Sequence, residues 1–388
     1  MRKLLLLGST GSIGTQCLDI AGADAAAGFD VTGLSAWSSW ELLVEQAQRH
    51  AVGLVALGDP AAAERAREAL PASTTVLAGP EAILELCAAA DYDVAVNGVV
   101  GAVGLAPSRA VLERGKRLAL ANKESLVVAG AELMELARTS GGELLPVDSE
   151  HSALLQCLAA GRLEDVRKVF LTASGGALRD WPAADLARVT PADALAHPNW
   201  DMGPRITVGS ATLMNKALEV VEAAHLWGLS ADRIGVLIHR QSIVHGMVEF
   251  HDGSVMAECS PPDMRGPIHH ALQWPERPPT ELTGFCPTAF AQLTFEEPDL
   301  ARFPALELGY RCVREGGNAG AVLNAADEVA TGAFLAGQLA FTDIVPLVAQ
   351  ALDMRERWPS GTIDQLLAAD AAARTHTQER IQALQAAG

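Results

Sequence analysis

The stretch "KLLLLGSTGSIGTQCLDIAG", residues 3–22, decides the fold. It reads as a strand, a glycine turn and a helix. Gly8, Gly11 and Gly14 fall at that turn, where glycines let the backbone approach a pyrophosphate and the helix N-terminus favours its negative charge. A glycine pattern alone is weak and could mark no more than a tight turn. Here it follows a strand, opens a helix and starts a run of alternating elements, which is the context the motif requires.

Outward from it, "FDVTGLSAW" (29–37) reads as the second strand. "VGLVALG" (52–58), "TTVLAG" (74–79), "YDVAVNGVVG" (92–101) and "RLALANKESL" (117–126) then alternate with alanine-rich helical stretches. Such alternation implies a parallel sheet covered on both faces, here over residues 1–147. NAD sites often carry an acid at the end of the second strand for the ribose hydroxyl. This chain has "LSAWSSW" there, with no acid, and Ser38 and Ser39 can hydrogen-bond a 2′-phosphate, which points to NADP over NAD.

From 148 to 275 the pattern mixes. "VRKVFLTASGG" (166–176), "GVLIHRQSIVHGMVEF" (235–250) and "SVMAECS" (254–260) read as strands, the last two joined by the turn "HDGS". "SATLMNKALEVVEAAHLWG" (210–228) reads as one helix ended by Gly228. This is an α+β region. Six prolines between 275 and 304 mark an extended linker, and 305–388 reads as helices, the last opened by a capping box "TIDQ" at 362–365. The fold class is therefore α/β: an N-terminal Rossmann-like parallel sheet domain, a central α+β catalytic domain and a C-terminal helical domain.

Composition narrows the function. The 388 residues carry a net charge of −18, and no Lys/Arg cluster supplies the basic face that nucleic acid needs. No apolar run reaches the roughly 18 residues needed to span a bilayer, and "MRKLLLLGST" is not a signal peptide; the expectation is a soluble, cytoplasmic protein. Six scattered cysteines without a CxxC pair suit buried reduced thiols. The five lysines are Lys3, Lys116, Lys123, Lys168 and Lys216, in a chain that otherwise uses arginine. A lysine kept against that trend points to work for a compact ammonium.

Three stretches carry candidate chemistry. "LLPVDSEHSA" (144–153) ends an apolar run on Asp148 and Glu150. If the backbone is still extended, both point to one side and repel unless a cation sits between them. The bland alternative is a solvated strand end. In "GSATLMNKALE" (209–219), Ser210 sits where an N-cap would be, and Asn215 and Glu219 share a helix face beside Lys216. That face is turned either to water or into a cleft. "LAHPNWDMG" (195–203) is a loop with His197, Asn199 and Trp200, its tryptophan either packed down or a lid.

Taken together, "GSTGSIG", "LANKESLV", "LLPVDSEH", "SGG" at 174, "HPNW", "SATLMNKALE", "QSIVHGMV", "PPDMR" and "LNAADE" resemble, in order, the 1-deoxy-D-xylulose 5-phosphate reductoisomerase family of the non-mevalonate isoprenoid pathway. The resemblance implies a homodimer, assembled through the catalytic domain, that binds NADPH and a divalent cation (magnesium or manganese, with cobalt possible). It would rearrange the substrate's skeleton and reduce the resulting aldehyde to 2-C-methyl-D-erythritol 4-phosphate. Carried over, it implies Asp148, Glu150 and Glu219 as metal ligands, and Ser174, His197, Ser210, Asn215 and Lys216 on the phosphate. Ser149 and Lys123 would reach the substrate near the metal, and Trp200 would close over it, with the loop 194–204 as lid. It places Ser9, Thr10, Gly11, Ser12, Ile13, Ser38, Ser39, Asn122, Glu124, Gly203 and Met264 around NADPH, Met264 near the nicotinamide. His245 lies by the site, either in a role of its own or as a structural histidine. Departures from the family pattern are Trp37 and Ser38 in place of glycine and a basic residue, Gly209 for an acid, Arg240 for a proline and Asp327 for asparagine. The rival readings are a plain NADP-dependent dehydrogenase, which needs no carboxylate-bound cation, and a nucleotide or sugar-phosphate sensor without turnover.

Overall fold

The computed structural model describes residues 1–23, 28–200 and 202–387. Asp201, inside the expected lid loop, and Gly388 lie outside them. The chain divides into two compact units: residues Met1–Ser125, Leu133–Ser152 and Asp263–Leu282 form the first, and Leu126–Glu132, Ala153–Pro262 and Thr283–Gly388 the second.

In the chain order of the first unit, β1 (Arg2–Leu7), α1 (Ser12–Ala23), β2 (Phe29–Ala36), α2 (Trp40–Arg49), β3 (Leu54–Leu57), α3 (Pro60–Ala69), β4 (Thr75–Ala78), α4 (Ala82–Ala89), β5 (Val94–Asn97), α5 (Leu105–Glu113), β6 (Arg117–Leu120), α6 (Lys123–Ser140) and β7 (Glu143–Pro146) alternate as expected. The sheet order is β4-β3-β2-β1-β5-β6-β7, every pairing parallel. Leu4, Leu5, Leu6 and Leu7 are fully buried, as a strand covered on both faces must be. Strand order reverses between β1 and its neighbours β2 and β5, which is where ligands of such sheets bind, beyond the strands' carboxyl ends.

After α7 (Ser149–Leu158), the second unit is built from β8 (Val166–Ala173), α8 (Pro191–Leu195), α9 (Pro204–Thr212), α10 (Met214–Trp227), β9 (Ile234–Ile238), β10 (Val244–Phe250) and β11 (Val255–Cys259). Its sheet runs β11-β10-β8-β9, with β8/β9 parallel and the other pairs antiparallel. The turn at 251–254 is present, with Gly253 at φ 86°. α11 (Arg265–Gln273) follows, and then α12 (Ala305–Glu315), α13 (Ala319–Leu335), α14 (Ile344–Met354) and α15 (Ile363–Ala387). The expected capping box opens α15: the Thr362 amide donates to Gln365 Oε1 at 2.8 Å and the Gln365 amide to Thr362 Oγ1 at 3.3 Å.

The structure corrects several expectations. The strand read over 235–250 is two strands, because Ser242 adopts φ 52° and the Ile243 amide turns back to donate to His239 Nε2. The helix read from Ser210 to Gly228 is two helices, broken where Leu213 adopts φ 62°. Ser210 is thus in the last turn of α9, not an N-cap. Residues 263–275 were expected within the catalytic domain, and the helix α11 that they contain was not foreseen. It packs in the first unit instead, where Arg2 donates to Leu272 O at 2.8 Å and Arg117 to Trp274 O at 2.8 Å. The C-terminal helices are present but share one core with α10: Met214, Ala217 and Leu218 bury against Leu308, Cys312, Val322, Leu323 and Leu352. Cys259 is exposed and Cys286 half-exposed, unlike the other four cysteines. Among the described residues no helix is long and apolar enough to cross a membrane.

Candidate active site

In the first unit, all but one of the residues expected around the nucleotide follow the carboxyl ends of parallel strands. The turn after β1 carries Ser9, Thr10 and Gly11 into α1, whose first residues are Ser12 and Ile13. A Cβ on Gly14 would lie 2.4 Å from both Gly8 O and Ser9 O, so α1 rests directly on the turn. Gly8 itself has φ 83°. This is the close approach a pyrophosphate site uses, so the residues present fit a dinucleotide. Two supports were not foreseen from sequence: Ser35 Oγ accepts from the Gly8 amide at 3.1 Å, and Gln46 Nε2 donates to Ser9 O at 2.9 Å. Trp37, Ser38 and Ser39 are exposed after β2, Trp37 lying over Gly58. The remaining residue, Met264, is half-buried at the start of α11.

Asn122 and Glu124 are buried and hold backbone. Asn122 caps α6 by accepting from the Ser125 amide at 3.0 Å and donates to Val99 O at 2.7 Å and Gly101 O at 2.9 Å; Glu124 accepts from the Gly101 amide at 3.2 Å. They lock the loop after β5 to the helix that starts with Lys123.

Lys123 pairs with Asp148, both largely buried. The extended reading of 148–150 is overturned, because α7 begins at Ser149: the Ser152 amide donates to Asp148 O at 2.8 Å. Asp148 therefore stands at the head of a helix, and its Oδ1 accepts from the Ser149 amide at 3.1 Å. Ser149 Oγ donates to Glu150 Oε2 at 2.6 Å. What sets two acids side by side here is a helix N-terminus and a buried ammonium, both of which favour carboxylate charge.

In the second unit, β8 runs into Ser174-Gly175-Gly176. Gly176 has φ 72°, and a Cβ there would sit 2.6 Å from Ser210 O. Only glycine lets this turn press onto the end of α9, which brings Ser174 and Ser210 together. A Cβ on Gly209 would be 3.4 Å from the Asn215 amide, an ordinary contact, so α9's end abuts α10's start. On α10, Asn215 Nδ2 donates to Glu219 Oε1 at 2.6 Å and Lys216 pairs with Glu219; Glu219 and Lys216 are buried. The polar face of α10 is therefore turned inward and not to water.

His197 completes the group. Its Nδ1 accepts from the amides of Asn199 and Trp200 at 3.1 and 2.9 Å. Burial, with Arg179 adding to it, holds the imidazole below its usual pKa, so the ring is neutral. Its one hydrogen is then on Nε2, which donates to Ser174 Oγ at 2.8 Å. Ser174 Oγ also accepts from the Gly176 amide at 3.2 Å, which leaves the hydroxyl hydrogen to donate to an anion. Arg179, missed from sequence, donates to Ser174 O at 2.7 Å. Its position five residues after Ser174, in a chain short of cations on this turn, was the available signal. Trp200 packs edge-on to His245 at 6.1 Å, and His245 Nε2 meets Ser260 O at 3.1 Å. Gly203 is the exposed residue before α9.

A Rossmann-type sheet with a close-packed glycine turn, and a second unit with a cluster of serine hydroxyls, an amide and a lysine beside a buried carboxylate, are the features of a dinucleotide-dependent enzyme. Sequence models of one family match most of the chain: 1-deoxy-D-xylulose 5-phosphate reductoisomerase over 4–130, its C-terminal domain over 144–227, and the DXP reductoisomerase C-terminal domain over 259–376. The chain is 46% identical to the 1-deoxy-D-xylulose 5-phosphate reductoisomerase of Geotalea uraniireducens, covering 95% of this chain and 96% of that one. It is 48% identical to that of Burkholderia multivorans, over 98% and 96%. Among solved structures, the Zymomonas mobilis reductoisomerase with NADPH superposes with TM-score 0.90 at 38% identity, over 98% of this chain and 99% of that one. A DOX-P reductoisomerase with NADPH, fosmidomycin and magnesium gives 0.93 at 34%, over 99% of each. The chain belongs to the 1-deoxy-D-xylulose 5-phosphate reductoisomerase family.

Proposed function

We propose that this chain converts 1-deoxy-D-xylulose 5-phosphate to 2-C-methyl-D-erythritol 4-phosphate with NADPH and a divalent cation, magnesium or manganese and, less specifically, cobalt. The observation that carries this is the polar cluster in the second unit, where Ser174, Ser210, Asn215 and Lys216 gather next to a buried carboxylate. A hydride-transfer enzyme with no rearrangement to perform has no need of Glu219 buried there.

The phosphate is held by hydroxyls of Ser174 and Ser210, the Asn215 amide and the Lys216 ammonium, at the start of α10, whose dipole favours an anion. His197 fixes the direction in which Ser174 donates. Asp148, Glu150 and Glu219 are the proposed metal ligands. All three offer carboxylate oxygens, the donor set that magnesium and manganese prefer, and so fit such an ion. The bound cation supplies Lewis-acid polarisation of a carbonyl and hydroxyl pair. Lys123, paired with Asp148, offers an ammonium proton at the substrate's oxygens. Ser149 orients Glu150 through its hydroxyl. Trp200, seated on His245, shields the carbon chain from water. In the first unit the turn at 8–14 binds the pyrophosphate of NADPH, and Ser38 and Ser39 meet the 2′-phosphate.

The test is turnover of deoxyxylulose phosphate, with NADPH oxidation and product both measured, with and without EDTA. The chelator should abolish both signals, and added magnesium or manganese should restore them. NADPH oxidation that persists in EDTA identifies the plain dehydrogenase, and binding without product identifies the sensor.

The chain is also proposed to form a homodimer in the cytoplasm. β11 is an edge strand whose Val255 and Met256 are 53% and 41% exposed, an aggregation liability unless a second copy covers it. Sedimentation should give twice the chain mass, and Met256→Lys should shift it toward the monomer; a wild-type monomer refutes this.

A further inference from the structure

Arg205 stands in the first turn of α9, directly after the loop that carries His197 and Trp200. It is mostly buried, and it points at the C-terminal helices of the same unit. Its Nη1 bonds Glu328 Oε1 at 3.0 Å, and its Nη2 bonds Asn324 Oδ1 at 2.9 Å, both on α13. Asp327 Oδ2, one turn on, is 3.6 Å away. The far side of the network is also tied down. Asn324 Nδ2 donates to Glu328 Oε1 at 3.1 Å, and Arg374 of α15 reaches Glu328 Oε2 at 2.6 Å. Asp327, buried, accepts from Thr331 at 3.3 Å. A planar guanidinium with two separate oxygens to bond fixes direction as well as distance, which a lysine cannot do as well.

The loop is fixed to α9 in turn. Thr207 Oγ1, half a turn beyond Arg205, donates back to Gly203 O at 3.0 Å and Met202 O at 3.3 Å. The other end of the loop is held at His197 by Ser174 and at Asn199, whose Nδ2 donates to Arg240 O at 2.7 Å and Ser242 Oγ at 2.9 Å. Between these anchors lies Trp200. Ser210 sits five residues along the same helix as Arg205.

We propose that Arg205 is a positioning residue: clamped to Glu328 and Asn324, it sets the placement of α9, and through it both the loop bearing Trp200 and the hydroxyl of Ser210. Asp327 then has a place in the molecule. It sits behind the clamp, facing the guanidinium. The inference rests on the substrate role proposed for Ser210 and Trp200, but its structural half does not.

The test compares full-length wild type, Arg205→Met, Arg205→Lys and Glu328→Gln. Each is labelled with 5-fluorotryptophan, the Trp200 resonance being assigned by its loss in Trp200→Phe. Without ligands, Arg205→Met should shift the Trp200 resonance. With substrate, KM for deoxyxylulose phosphate should rise about tenfold, since small displacements of binding groups cost that much or more. The kcat should stay within about threefold and the NADPH dissociation constant unchanged, because only substrate placement is altered. Arg205→Lys, which keeps the charge but not the two-point bond, should recover only part of the KM. A folded Arg205→Met with wild-type KM and resonance overturns the proposal, as does joint loss of kcat, KM and NADPH affinity that lysine fails to restore. If Arg205→Met does not fold, Glu328→Gln carries the same expectations and, with wild-type values, the same refutation. A wild type that never turns over deoxyxylulose phosphate refutes the functional reading and leaves the resonance shift as the measure of Arg205.

Discussion

Glu219→Gln should lower turnover about a thousandfold and leave the NADPH dissociation constant within about twofold of wild type. Loss of one carboxylate from a hard cation's ligand set removes several kcal/mol of transition-state stabilisation, and about 4 kcal/mol is a thousandfold. The substitution is nearly isosteric, so the packing around a fully buried side chain is kept. What changes is charge. Glutamine still bonds Asn215, but Lys216, which is 4% exposed, loses the Glu219 charge beside it. Removing one partner of a buried pair costs about 3–5 kcal/mol of stability, so a lower melting temperature is part of the expectation and is measured alongside. NADPH is the control, because the pyrophosphate turn belongs to the first unit and Glu219 to the second. Equal loss of turnover and NADPH affinity in a folded variant sinks the assignment of Glu219 to the metal.

Residues 1–147 of the first unit were legible from sequence because what specifies their strands and helices is local, whereas α11 joins them through bonds from Arg2 and Arg117, distant in sequence. Apolar runs bounded by glycine and followed by helical stretches fix the strands, and parallel order then places every strand-end motif on one edge. The second unit's turn at 251–254 and the cap at Thr362 were legible for the same reason. What escaped was decided by contacts distant in sequence. Nothing in "SATLMNKALE" marks Leu213 as left-handed; residues there favour continuing a helix, yet Leu213 adopts φ 62° and α10 starts anew at Met214. The Asp148–Glu150 pair was singled out on an extended backbone, whereas α7 begins at Ser149; an acid in a helix's first turn and an acid at a strand end look alike in one dimension. Ser35, Gln46, Arg179 and Arg205 bond residues of the motifs from positions that no motif marks. Of the five lysines, Lys123 and Lys216 are the buried ones, and each sits against a candidate carboxylate.

Replacing glycines in the turn at 8–14 should separate nucleotide contact from packing. A Cβ on Gly11 would lie 3.5 Å from Gly8 O, an ordinary contact, and Gly11 is exposed. Gly11→Ala should therefore melt as wild type does. If the backbone there meets a pyrophosphate, the added methyl keeps the ligand off, and the NADPH dissociation constant should rise at least about tenfold. Gly14→Ala differs in kind. Its Cβ meets two backbone oxygens at 2.4 Å, neither of which can swing aside as a side chain would. The turn must open, at a cost of about 1–3 kcal/mol for overpacking, and with it goes the geometry that aims the first amides of α1. Gly14→Ala should lose both stability and NADPH affinity, the latter about a hundredfold. Isothermal titration and thermal melts on the two variants read both quantities. The telling variant is Gly11→Ala: a stable protein that binds NADPH as tightly as wild type would mean that the glycines serve only to close the turn, and the nucleotide would have to be sought elsewhere on the sheet's edge.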